Sequence, residues 1–373
     1  MQQTTRKRGG RWASLGLVIG VLVAGLWLAW PRERLLTRVG RPVARIEGGH
    51  TDICWLSAHQ VLIVTTEQQG GGTYTPAGTT IESNWHGSAD LVDIVTNTRK
   101  RLPAFTDLLN RTTKLPLVMV SDFEASPDGV WVQWHAFEHH SDRDLLHASQ
   151  LDGTHHREWD HDVPAESFFV DAHHLFQETP PKAILGNLLD SKQDREYHKP
   201  EQAMGFLTPY IRQKPIFIEV DHPSEDVPGM EIPLKTYRTE DQLRSFFLFD
   251  SPREALKPIE THRFKLPEGA ELYRGEASPS QKSILYYIHA SRTPPFLTWL
   301  HHIFPHFRTE PTPTEELWVS RSDGQGVREI GHVRVLADPG HTFLGDIRWL
   351  PDGRQISFVY RGMLYVAPAE PEK

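Results

Sequence analysis

Between residues 345 and 368, apolar and polar positions fall into three short runs, 347–350, 355–360 and 363–367, each rich in aromatic and β-branched side chains. The breaks between them, Pro351-Asp352-Gly353 and Arg361-Gly362, carry turn chemistry, because proline presets φ and glycine accepts positive φ. The pattern predicts an antiparallel unit of consecutive hairpins. A unit this small cannot bury both faces by itself, so it should be one of several stacked copies.

The pattern recurs. Ile53-Cys54-Trp55-Leu56-Ser57 matches Ile347-Arg348-Trp349-Leu350-Pro351, and Val61-Leu62-Ile63 matches Ile356-Ser357-Phe358. Phe123-Glu124-Ala125-Ser126-Pro127-Asp128-Gly129, running into 130–137, is a third copy. Residues 167–176 form a degenerate copy, and Gly275-Glu276-Ala277-Ser278-Pro279 followed by 283–289 a better one. A second piece, strand, Asp-Gly turn and strand, occupies 145–159 and 316–330, with 91–102 as a looser version. It supplies the outer half of each unit.

The inner Ser-Pro-Asp-Gly hairpin and the outer hairpin beginning Leu317-Trp318-Val319-Ser320 resemble the WD-repeat-like units of the TolB-like family of six-bladed β-propellers, over roughly residues 43–367. The resemblance implies an all-β fold and favours interaction over catalysis. Units counted from about residues 50, 120, 165, 203, 270 and 340 give six four-stranded blades. Segments 203–208, 216–220, 244–249 and 261–266 serve as the fourth. The last unit has only three strands before the chain ends. Residues 43–47, which immediately precede the first inner strand, should supply its fourth and leave no long free edge.

One apolar stretch has a different pattern. Residues 12–30 are 19 positions without a charge, about 28 Å of helix, with Trp12, Trp27 and Trp30 near the ends. A transmembrane anchor is the favoured reading over a cleaved signal peptide or a buried core helix, since small residues suited to cleavage are poorly placed. The expected organisation is a basic cytoplasmic head (1–11), the anchor (12–30), a basic juxtamembrane linker (31–42), the propeller (43–367) and a tail (368–373). Basic residues flank both ends of the span, so their count does not fix orientation; a short basic head favours an extracytoplasmic propeller, periplasmic or at the cell surface. Gly16 and Gly20 form a weak helix-pairing motif that leaves the oligomeric state open.

Charge supports the division. Residues 1–45 hold nine basic side chains against Glu33 alone, a surplus of eight, and leave 31 basic against 47 acidic groups in the remainder. An acidic main domain argues against nucleic acid as a partner. The single cysteine, Cys54, excludes an internal disulfide and reads as a small buried hydrophobe.

Three connections between second and third strands should be long, 68–88, 222–243 and 291–315, and lie on one face, where binding usually resides. The candidate partner-binding residues are therefore Trp85, His86, Trp299, His301, His302, His306 and Arg361. Residues 294–307 suit a short helix broken before Pro305, either a partner-binding surface or a plug on the apolar rim. Four histidine doublets, at 139–140, 155–156, 173–174 and 301–302, invite a metal, yet neighbours on a strand point to opposite faces, so a doublet is no chelating pair. Asn110-Arg111-Thr112 formally fits a glycosylation acceptor. The sequence has neither a GxSxG nucleophile elbow nor an HExxH motif. No catalytic residue, cofactor or metal is expected. The expected role is a non-catalytic module for protein or envelope ligands; the rival is a metal-dependent propeller lyase or hydrolase using histidines and acids of several blades.

Overall fold

The computed structural model describes residues 34–46, 50–69, 84–112, 118–138, 144–161, 166–179, 182–198, 216–220, 231–238, 258–266, 270–293, 303, 311–335 and 344–371. A single helical turn, α1 (Leu36–Val39), leads into strand β1 (Arg41–Arg45). The first sheet is β2 (His50–Trp55), β3 (Gln60–Gln69), β4 (Asn84–Asp93) and β5 (Thr98–Arg101), followed by helix α2 (Pro103–Thr112). The second is β6 (Val118–Ala125), β7 (Trp131–Glu138), β8 (Asp144–Gln150) and β9 (Arg157–His161). The third is β10 (Glu166–Phe169), β11 (His174–Thr179), β12 (Lys182–Asn187) and β13 (Arg195–His198). The fourth has three described strands, β14 (Ile216–Val220), β15 (Glu231–Arg238) and β16 (Glu260–Lys265). The fifth is β17 (Ala270–Ala277), β18 (Ser283–Arg292), β19 (Thr312–Arg321) and β20 (Arg328–Arg334). The sixth combines β21 (Gly345–Trp349), β22 (Gln355–Tyr360) and β23 (Met363–Pro368) with β1.

Every sheet is an antiparallel meander, in chain order except for β1 at the edge of the sixth, and the turns explain why. Asp128, Asp152, Asp323 and Asp352 each accept the backbone N–H two residues on. The glycine after each aspartate has positive φ, from 65° to 77°. Ser126 and Ser278, buried ahead of their prolines, accept the N–H groups of Trp131 and Ser283 and close the inner hairpins. The Asp-Gly and Ser-Pro pairs of the sequence are thus hydrogen-bonding devices.

Among the described residues, apolar clusters join the first sheet to the second, the second to the third, the fourth to the fifth, the fifth to the sixth and the sixth to the first. Cys54, Leu62 and Val64 of the first sheet pack with Val120, Val132 and Trp134 of the second. Trp131 and Trp159 meet Phe169 and Leu175 of the third. Ile232 and Phe264 meet Ile284 and Tyr286. Leu317 and Val319 meet Phe358, and Leu364 and Val366 meet Ile53 and Trp55. With both faces covered, runs such as Val61-Leu62-Ile63-Val64 are apolar at every position instead of alternating. Trp55 donates its indole N–H to Ser357 Oγ at 2.8 Å, and Trp349 to the Glu276 carbonyl at 3.1 Å. Gly129 lies under the Leu56 carbonyl so closely that a side chain there would press into backbone.

The expected closure is present with different bounds. β1 pairs with β23, Pro42 opposite Tyr365 and Ala44 opposite Leu364, with an irregularity between them. The strand lies at 41–45, not 43–47, and Leu36 ahead of it is fully buried against the fifth and sixth sheets. The compact unit comprises residues 35–292 and 312–373; residues 1–34 and 293–311 form a second. Residues 12–30 lie outside the described residues, among which no helix is long and apolar enough to cross a membrane.

Two expectations are corrected. The connection expected at 222–243 contains β15, a strand with Ile232 and Leu234 fully buried. The connection expected at 68–88 is shorter, since β3 runs to Gln69 and β4 starts at Asn84. Segments 203–208 and 244–249 lie outside the described residues.

Candidate functional site

The fifth sheet gathers three rings and a buried carboxylate near the end where β18 passes toward β19. Register sets His289 opposite Glu315, and Tyr287, two residues before His289, shares its face. A bulge between Leu272 and Arg274 re-aims the β17 backbone at Tyr273. Tyr273 stacks on His289 with ring centroids 5.1 Å apart and planes at 14°, while Tyr287 meets both edge-on. Tyr273 is 65% exposed, whereas Glu315 beneath is 1% exposed.

Glu315 accepts the Leu344 N–H at 2.6 Å through one oxygen. Its other oxygen, Oε1, faces His289 Nε2 at 3.9 Å, and neither atom has a hydrogen-bond partner. That separation exceeds a hydrogen bond. Burial holds the Glu315 carboxyl above its ordinary range against the pull of Leu344, Tyr287 and His289. Burial, with Glu315 beside it, likewise raises the Tyr287 hydroxyl. The arrangement offers an exposed aromatic surface with an unsatisfied donor–acceptor pair below it.

The opposite face of the same strands carries a network that is satisfied internally. Arg292 binds Glu316 through two nitrogens and reaches Glu329 at 2.9 Å. Trp318 Nε1 and Thr314 Oγ1 also donate to Glu316, and Glu329 binds His332 Nδ1 at 2.7 Å. Burial favours the neutral form of Glu329, but His332 and Arg292 outweigh it and hold the carboxyl low. This network ties β18, β19 and β20 together.

A third cluster lies in the second sheet. His147 is opposite Glu158 in the β8–β9 register, and His156, in the turn just before β9, approaches both. His147 Nδ1 stands 3.1 Å from His156 Nε2 and 3.7 Å from a Glu158 oxygen. Burial, helped by His156 and His135, holds His147 down to about 3, and burial also lowers His156. Trp134 stacks on His147 at 5.2 Å. Among the described residues, this is the group of side chains able to converge on a metal ion.

The structure places the sequence candidates apart from these clusters. Trp85 and His86 belong to β4, paired with Gln68 and Glu67, and His86 is exposed. Arg361 has φ of 51° in its turn and lies over the Tyr360 ring at 5.2 Å. No described hydrogen bond or ion pair joins His86 to Arg361. Trp299, His301, His302 and His306 lie outside the described residues, as do the doublets at 139–140 and 301–302. Ile303, between them, is helical and exposed. Sequence reasoning missed Tyr273, His289, Glu315, His147 and Glu158, because each matters through a cross-strand partner that only the register reveals.

These antiparallel sheets of three or four described strands, following one another along the chain, define an all-β, propeller-like architecture. No protein-family model matches the sequence, and no curated protein sequence does. Solved structures do resemble it. A protein described as a TolB from Agrobacterium tumefaciens is 11% identical, with 85% of this chain and 89% of that one covered and a TM-score of 0.41. The β-propeller domain of the Trilobed protease from Pyrococcus furiosus is 10% identical, covering 87% and 84%, at 0.37. The C-terminal WD40 domain of Sif2 is 7% identical, covering 89% and 99%, at 0.37.

Proposed function

We propose that the chain is a membrane-anchored, six-bladed β-propeller that binds a protein or envelope-polymer ligand on the extracytoplasmic side without transforming it. The observation that carries this reading is the unsatisfied pair Glu315 Oε1 and His289 Nε2, 3.9 Å apart beneath the exposed Tyr273. A buried acceptor without a partner is costly, and a ligand donor that reaches it offsets that cost. The stacked Tyr273–His289 surface adds apolar area at low side-chain entropy. Six sheets in chain order, with β1 joining the last, support the blade count. Residues 12–30 and the basic surplus around them support the anchor.

The test is capture by the detergent-solubilised full chain from its native envelope, compared with Tyr273→Ala and with a chain lacking 294–310. A partner held by the parent chain and lost from both variants supports the reading. Retention by both variants, or capture of nothing, overturns it. A reporter fused after Lys373 checks orientation by showing whether the C-terminus is exported.

A metal-dependent propeller enzyme is the second reading, favoured by the convergence of His147, His156 and Glu158. It requires turnover that disappears with His156→Ala.

A further inference from the structure

The side chains of the β8–β9 hairpin support an inference independent of the ligand surface on the fifth sheet. His147 and Glu158 are direct register partners, and His156, in the turn just ahead of β9, comes within 3.1 Å of His147. The turn separates the doublet: His155, with φ of 53°, stands beside Trp131, while His156 stands beside Trp134 and His147. His147 is 1% exposed and fixed by the Trp134 ring. Its Nε2 has no hydrogen-bond partner, so its polar contacts leave through Nδ1, toward His156 and Glu158. Glu158 is 52% exposed, which opens the group to solvent on one side.

We propose that His147 Nδ1, His156 Nε2 and a Glu158 carboxylate oxygen form a binding site for a divalent transition ion of the zinc class, with the remaining coordination position open to water. Donors on one tetrahedral ion, at bonds of about 2.0–2.1 Å, lie roughly 3.3 Å from each other. The separations of 3.1 and 3.7 Å bracket that value, and all three donor atoms lie within 4.8 Å of one another. Two imidazoles with one carboxylate suit zinc, cobalt or nickel, whereas calcium and magnesium take oxygen donors. Both rings would bind as neutral imidazoles, with the N–H on the nitrogen facing away. The competing account is a plain N–H···N bond between the rings, which lie at 18° with centroids 5.3 Å apart.

Isothermal titration of the EDTA-stripped full chain with Zn(II) distinguishes the two accounts, using His156→Ala and Glu158→Gln as ligand variants and His155→Ala as control. Both ligand positions are exposed enough to be replaced without opening the core. Urea midpoints in EDTA equal to the parent's establish that these variants fold. The expected result is one tight equivalent for the parent chain and for His155→Ala, with affinity at least about tenfold weaker in both ligand variants. Co(II) should give the visible absorption of a low-coordinate ion in the parent and lose it in His156→Ala. No stoichiometric binding by the parent chain, or equal affinity in the ligand variants, overturns the site and leaves a hydrogen-bonded histidine pair.

Discussion

Glu315 couples the candidate surface to stability, and its sign can be worked out. The unfolded chain ionises this carboxyl near the ordinary value, about 4.3 for glutamate, and the folded chain at higher pH because the group is buried. Below the unfolded value both states hold the proton and no penalty exists; as pH rises through the folded value, stability is lost. Glu315→Gln removes the titration and keeps an oxygen for the Leu344 N–H. Its urea midpoint should therefore exceed the parent's at pH 8 and converge on it toward pH 4. The gap is about 1.4 kcal/mol for each tenfold change in proton affinity. A gap independent of pH would show that ionisation is not what strains the site. The histidines show how far such chemistry was legible in the sequence. His155 and His156 do part, one meeting Trp131 and the other His147, but a turn with φ of 53° at His155 separates them rather than the strand alternation on which the sequence reading relied. The second imidazole comes from a residue outside any doublet, and nothing in the local spacing announces it.

At the scale of elements, α2 shows how the first sheet protects an edge that its short fourth strand leaves open. β5 pairs only with residues 90–93 of β4. Beyond it the helix takes over: Leu102 N–H donates to the Ala89 carbonyl, Thr106 Oγ1 accepts the Ala89 N–H, and Asn110 Oδ1 accepts the Gly87 N–H at 2.7 Å. Phe105, Leu108 and Leu109 anchor the helix from its apolar side. Asn110→Ala leaves a buried N–H without its partner and should cost about 1–3 kcal/mol, read from the urea midpoint and faster hydrogen exchange at Gly87. Asn110→Asp, which keeps an acceptor, should cost less. Equal losses in the two would mean that the bond is incidental. The acceptor motif at Asn110 is thus used as a helix-to-sheet clamp. Neither α2 nor β15 was legible, for opposite reasons. Pro103 begins a helix that a chain dominated by turn residues conceals. Pro233 occupies the middle strand of the fourth sheet, where a missing donor argues against a strand at all. The Asp-Gly and Ser-Pro hairpins were legible because their signals are local.

For the whole molecule, the decisive contact joins residues near opposite ends of the chain. β1 covers the outer edge of β23, and the Arg99 guanidinium of the first sheet reaches the Arg45 carbonyl of β1, so the last sheet is tied to the first. Leu36 ahead of it is buried with Trp349 and Phe358 in one cluster. Two truncations separate the contributions. Removing residues 1–33 takes away the uncharged stretch and much of the basic surplus, yet leaves every described contact of β1 in place. That product should unfold at the same urea concentration as the parent chain. Extending the deletion through Ile46 exposes the β23 edge and empties the Leu36 site, whose loss alone corresponds to about 2–5 kcal/mol. The longer truncation should show a much lower midpoint and self-association on size exclusion, because an uncovered strand edge recruits other chains. Equal stability of the two products would mean that the sheets hold their order without the borrowed strand. In that case the rigid presentation of Tyr273 and His289 would need another cause.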